Sequence, residues 1–277
     1  RFLLRDIIAN KTLFQRSDLP YVVMCGCNII FNIDLAEIID AHERSGAHAT
    51  MVYCRAEREH DDDVTALEIG EAGRVRALHA GCSFGDNKFL DCCVINRNVL
   101  LDIIDNYQDV DHLDLFEAIE PEFGRIDVCS YEFKGLALGV FDEQSYYQRS
   151  MEMLRPDLND RLFNPDRPIM TKAHDAPPAK YCTGSTVCNS LVSAGCLIQG
   201  TVRGSILARD VIVEHGASVS NSIIMQSCVI RSGARVENAI VDKNNVIPAQ
   251  TELRGTPDAT LIIPKAPLAT KELATLD

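Results

Sequence analysis

With 277 residues, 40 acidic against 27 basic side chains and a formal net charge of -13, the chain is long enough for two domains and carries no basic stripe. That balance disfavours nucleic acid or an anionic membrane as a partner, and no apolar run is long enough for a membrane span or a signal peptide. Eleven cysteines, most of them in apolar surroundings such as Val-Val-Met-Cys25, Cys92-Cys93-Val-Ile, Cys196-Leu-Ile and Cys228-Val-Ile, read as reduced, buried residues of a cytoplasmic protein. Cys25 and Cys27 lack a matching Cys or His pair at zinc spacing, so no metal site is expected.

The chain opens at Arg1 rather than Met, which reads as a piece of a longer polypeptide. Tyr21–Cys25 is a short buried strand, and Asp34 caps a helix whose inner face is Leu35, Ile38, Ile39 and His42 and which ends at Gly46. Ala49–Cys54 is a second buried strand, and the acidic triplet Asp61-Asp62-Asp63 reads as a solvated loop. Val64–Ile69 and Arg74–His79 flank a Gly-Glu-Ala-Gly turn and predict a hairpin. A strand at Asp91–Ile95, helices near Asn98–Tyr107 and Leu113–Ile119, a strand at Arg125–Tyr131 and a helix from Glu143 to Leu154 follow. This alternation predicts an α/β domain over residues 1–155 with a mainly parallel sheet. Five prolines between Arg155 and Lys180 predict an extended, ordered connector over 156–180.

From Tyr181 the pattern changes. Val202, Val219, Val236 and Leu253 are seventeen apart, as are Leu207, Ile224 and Val241, and Val213, Ile230 and Ile247. Gly216 recurs as Gly233 and Ser205 as Ser222, while the first period, Ser190 to Ser205, is shorter at fifteen. Within a period the aliphatic positions step by six, six and five, so three short strands per turn each supply one inward side chain. The fold class is therefore an α/β domain followed by a left-handed parallel β-helix over 181–277, its repeat fading after Leu253 into a tail.

Several segments resemble the bacterial ADP-glucose pyrophosphorylase family. These are Tyr21-Val-Val-Met-Cys-Gly-Cys-Asn-Ile-Ile-Phe-Asn-Ile-Asp34, Ser145-Tyr-Tyr with Met151-Glu-Met-Leu154, Ser190–Ile198 and Ala239–Pro248. The resemblance implies a nucleotidyltransferase-like α/β domain with the family's first strands and its glycine-rich ATP loop lying before Arg1. It also implies phosphoryl transfer at magnesium held by two aspartates. The first of these stands in a Ser-Gly-Asp turn, which here reads Cys25-Gly26-Cys27, so Cys27 takes its place. The second stands in a Gly-Tyr-Trp-x-Asp segment, matched by Gly135-Leu-Ala-Leu-Gly139, so Gly139 takes its place. The family's sugar-phosphate lysine is missing from His79-Ala80-Gly81-Cys82, and its Ser-Met-Gly reads Phe89-Leu90-Asp91, a ring expected to fill part of the sugar site.

These departures imply a catalytically degenerate, regulatory subunit. It would pair with a catalytic ADP-glucose pyrophosphorylase subunit in a tetramer, or with its own copies, and need no cofactor of its own. A working adenylyltransferase with Asp34, Asp91 or Asp142 as substitute ligands is the alternative, although Asp34 and Asp142 read first as helix caps. A β-helix acyltransferase using His215 at a corner is a third reading, set against the bland one of a turn residue. Arg155, Arg161, Arg167 and Lys172 are candidates for a sugar-phosphate effector.

Overall fold

A computed structural model describes residues 2–57, 61–107, 113–171 and 175–265, with side chains described throughout except at 61–63. Two compact units divide at Phe141 and Asp142.

The first unit opens with two short helices, α1 (Leu4–Ala9) and α2 (Lys11–Arg16). Next come β1 (Tyr21–Cys25), β2 (Ile29–Phe31), α3 (Leu35–Ser45), β3 (Ala49–Arg55), β4 (Asp61–Ile69), β5 (Val75–Cys82) and β6 (Asn87–Asn96). The unit continues through α4 (Arg97–Asn106), α5 (Leu115–Ile119), β7 (Val128–Glu132) and β8 (Ala137–Gly139). The α3 helix begins where the Asp34 carboxylate accepts from the Ala36 amide and ends at Gly46 in the left-handed conformation, as its sequence dictates. Of its expected inner face, Ile38 and His42 are buried, whereas Leu35 is exposed. His42 spends both ring nitrogens on Thr50 Oγ1 and Asn96 Oδ1, at 2.8 and 2.9 Å, and so is a satisfied core histidine.

The sheet has the order β5-β4-β6-β3-β7, with β1 also on β6. It is mixed rather than mainly parallel. Only β3 and β7 pair parallel, because β6 runs against β1, β3 and β4, and β4 runs against β5. Each face is buried separately. Met51, Tyr53, Phe89, Cys93 and Ile95 pack under α1, α4 and α5, while Val52, Cys54, Leu90, Cys92 and Val94 pack with Ile38 of α3. The predicted Val64–Ile69/Arg74–His79 hairpin is present. The acidic triplet, expected in a loop, lies on β4, where Asp61 is in register with Cys82: ladder pairing overrides the polar sequence.

The second unit begins with α6 (Glu143–Glu152), capped by a reciprocal Asp142–Ser145 box, and α7 (Pro156–Leu162). The α7 helix corrects the extended connector. Pro156 stands at its start, where a missing N–H costs nothing, so proline opens a helix here instead of denying one.

The β-helix then stacks three five-stranded parallel sheets. Val202 pairs with Val219 and Val219 with Val236, Leu207 with Ile224, and Val213 with Ile230, so the seventeen-residue period is the coil. These aliphatic residues are fully buried. The corners take left-handed backbone at matching positions: Asn221 and Asn238, then Asp210, Ser227 and Asn244, then Gly216, Gly233 and Gln250. Inside one corner a serine ladder replaces apolar packing. The Ser222 amide donates to Ser205 Oγ and the Ala239 amide to Ser222 Oγ, both at 3.1 Å. The repeat does not end at Leu253. Leu261–Ile263 pairs parallel with Ala239–Val241 after a turn at Thr256–Ala259, so the last coil carries an insertion and then resumes. One outer face is covered by α6, whose Tyr147 packs on Ile223 and Ile240 and donates its hydroxyl to Asn221 O at 2.7 Å.

Candidate functional site

The Cys25-Gly26-Cys27 turn leaves the end of β1 where β6 is irregular. Met51 is in register with Cys93 but Tyr53 with Phe89, so three residues of β6 oppose one of β3, and Asp91 in their middle has φ +47°. On its other side β6 changes partner at the same place, from β1 up to Cys92 to β4 at Lys88. The Gly26 amide donates to Asp91 O at 2.7 Å. A methyl group on Gly26 would meet Asp91 Cβ at 2.9 Å, so only glycine lets the turn approach the bulge this closely.

Cys27 is exposed, its thiol directed to Asn28 Oδ1 at 3.6 Å. The next residues form β2, paired antiparallel with β8 so that Ile29 faces Gly139 and the Val140 amide donates to Asn28 O. The fold therefore joins the Cys27 and Gly139 segments through one short ladder, and sets Asp91 beside the first of them. Phe89 and Gly81 lie elsewhere. Phe89 is 3% exposed and stands edge-on to Phe116, 4.9 Å between ring centres. It is a core residue under α5, which corrects the expectation of a ring filling a sugar site: its position on β6 turns it to the helix-covered face. Gly81, at φ +79°, lies on the edge strand β5 and lines a 570 Å³ depression with Glu68, His79, Ser83 and Asp86.

One residue beside Gly139 escaped the sequence reading. Lys88 is 9% exposed, in register with Cys54 across β3, and its ammonium stands 6.0 Å from the Phe141 ring centre. A side chain built on Gly139 would place Cβ 3.5 Å from Lys88 Nζ and 2.5 Å from Phe141 Cε2. The readable signal was a lysine at the head of the apolar run Phe-Leu-Asp-Cys-Cys-Val-Ile, but nothing local tied it to Gly139.

These residues do not fit magnesium. The ion takes hard oxygen ligands, and Cys27 offers a soft thiol, Gly139 no donor at all, and Lys88 a positive charge at the second position. Of the proposed substitute acids, Asp34 caps α3 and Asp142 caps α6, so Asp91, which lies beside Gly26, is the remaining candidate. No step of adenylyl transfer is derived through this donor set.

Cys25, expected to be buried, is exposed, because β1 ends with it beside the bulge. A hydrogen bond with Cys92 lowers its thiol from 9.0 to about 7, against opposing effects of burial and of the Asp91 charge. The same hydrogen bond, together with burial, pushes the Cys92 thiol far up.

In the second unit, Arg155 precedes α7 and pairs with Asp157 at 2.9 Å, Arg161 lies in the last turn of α7, and the Arg167 amide bonds to Asn164 O. Lys172 is outside the described residues. His215 is exposed at a β-helix turn next to Gly216. No described helix is long and apolar enough to cross a membrane.

Residues 177–258 match the family model described as GlmU-like, C-terminal hexapeptide. The chain is similar to the glycogen biosynthesis protein GlgD of Bacillus subtilis (strain 168), 33% identical over 252 residues, 91% of this chain and 64% of that protein. The GlgD of Geobacillus stearothermophilus is 31% identical over 206 residues, 74% of this chain and 51% of that protein. The glucose-1-phosphate adenylyltransferase of Corynebacterium glutamicum (strain R) is 27% identical over 243 residues, 77% of this chain and 58% of that protein. The chain thus spans between about half and two thirds of the length of these curated relatives. The likeness to the GlgD proteins and, at lower identity, to the glucose-1-phosphate adenylyltransferases thus runs through both the mixed sheet of the first unit and the hexapeptide β-helix of the second.

Proposed function

We propose that this chain is a catalytically degenerate, regulatory subunit of a cytoplasmic glucose-1-phosphate adenylyltransferase in glycogen biosynthesis. The reaction, carried out by a catalytic partner subunit, joins ATP and glucose 1-phosphate to give ADP-glucose and pyrophosphate. The observation that carries the reading is the second metal position, where Gly139 offers no ligand and Lys88 Nζ stands 3.5 Å from where a side chain would begin. An ammonium there opposes a dication, and the leaving pyrophosphate loses the charge neutralisation that transfer requires. The name shared by the two GlgD relatives supports the pathway.

The chain's role is then to bias the partner between states, which requires contacts that differ between them. Mixing tests this. The catalytic subunit assayed for pyrophosphate release with and without the full chain should change in turnover or activator response, and the two should co-elute as a hetero-oligomer. Unchanged kinetics without co-elution would refute the reading. One observation favours a weakly active enzyme instead: the Asp91 side chain lies against Gly26. Brisk pyrophosphate release by the full chain alone would establish that second reading.

A further inference from the structure

Cys25 and Cys92 face each other across the β1–β6 ladder, both as free thiols. Gly26 donates to Asp91 O one step further on, and Arg97 donates to Pro20 O at the opposite end. Ladder hydrogen bonds alternate, so these two place Cys25 and Cys92 in a non-hydrogen-bonded pair, whose Cα atoms approach to about 4.5 Å. That lies within the span a disulfide bridges, roughly 4.4–6.8 Å. Opposed residues also point to one side of a sheet, and Tyr21 and Val23 of β1 share the α3-side cluster with Cys92 and Val94.

We propose that Cys25 and Cys92 form a reversible disulfide that ties β1 to β6 beside the Gly26–Cys27 turn. The oxidant is a low-molecular-weight disulfide such as oxidised glutathione. The Cys25 thiolate attacks one of its sulfurs, forming a mixed disulfide and releasing one thiolate. Cys92 then gives up its proton and displaces the second thiolate. Two protein thiols become one bridge, and one small disulfide becomes two thiols.

The two cysteines divide these roles by position. Cys25 is exposed at the end of its strand, so it meets the oxidant first. Cys92 is buried, with Cys25 as its register partner across the ladder, which suits the resolving thiol. Cys93, next in sequence, faces the other side of the sheet, in the cluster under α1, α4 and α5. Cys27 lies beyond the ladder.

The full chain is incubated with excess oxidised glutathione, alkylated and mapped by mass spectrometry without reduction. The expected result is loss of two alkylatable thiols, a Cys25–Cys92 linked peptide, and recovery of both thiols with dithiothreitol. Cys27→Ser should leave the link in place, and Cys25→Ser should abolish it. Cys92→Ala should trap one glutathione per chain on Cys25. A wild-type chain that stops at the Cys25 glutathione adduct, a link made through Cys27, or no thiol loss at all would each overturn the proposal. Should Cys92→Ala fail to fold, judged by circular dichroism, the wild type with the Cys25 and Cys27 variants still decides it.

Discussion

The β-helix and the sheet of the first unit both bury aliphatic residues on short strands, yet they reach that end differently. In the β-helix the central coils repeat one solution. Val202, Val219 and Val236 stack on one another, and left-handed corners recur at Asp210, Ser227 and Asn244. In the sheet the decisive features occur once: the Asp91 bulge, the Gly26 turn against it, and Lys88 facing Gly139. Repetition spreads both stability and information over many positions, whereas the candidate site concentrates them in a few residues brought together from distant parts of the chain.

The largest expected effect tests the repeat. Leu207→Ala should cost about 2–5 kcal/mol in urea unfolding, because a fully buried side chain is lost between coils that cannot collapse onto the gap. Amide exchange should quicken in the coil of Ile224, its register partner, and leave β3 and β6 of the first unit unchanged. A loss under 1 kcal/mol by this same estimate would mean that the layers repack, contrary to a close-packed stack.

Ser222→Ala should cost about 1–3 kcal/mol, since the Ala239 amide would lose its buried acceptor. Ser205→Ala should cost a similar amount, as the ladder makes the two serines equivalent.

Gly139→Asp sharpens the other side of the comparison. The new side chain meets Phe141 and then Lys88, so strain of about 1–3 kcal/mol is expected in thermal unfolding. The carboxylate should pair with the ammonium, and titration calorimetry should show no gain in magnesium binding. Measurable binding in the single variant would show that Lys88 swings aside, whereas binding only with Lys88→Ala added would confirm the block.

The smallest effect concerns the cap of α6. Asp142→Ala should cost about 1 kcal/mol through loss of the Ser145 box. The Asp142 pKa is lowered by hydrogen bonds from the Ser145 side chain and amide, so its folded value lies below the unfolded one. Its stabilisation is present above the unfolded carboxylate value and fades as pH falls through the folded value. Wild type and variant should therefore converge in Tm on acidification below about pH 4, the ordinary aspartate range. A gap that persists in acid would assign the cap's effect to something other than the charged form.

Local chemistry made much of the fold legible. The seventeen-residue period gave the coil and its register, and Asp34, Gly46 and Asp142 announced helix ends that the structure reproduces. Pro156 misled because proline at a first helical turn and proline in an extended segment look alike in sequence. The strand at Leu261–Ile263 escaped because an insertion moved it out of phase.

At the candidate site, the sequence by itself determined that a thiol and a glycine, Cys27 and Gly139, stand in the two segments that resemble the family's metal-binding turns. Only the tertiary structure decided that Phe89 belongs to the core, that Lys88 stands against Gly139 and that Cys25 faces Cys92. Which face a strand residue takes and what it meets depend on register across the sheet, and register is set by pairing between segments tens of residues apart.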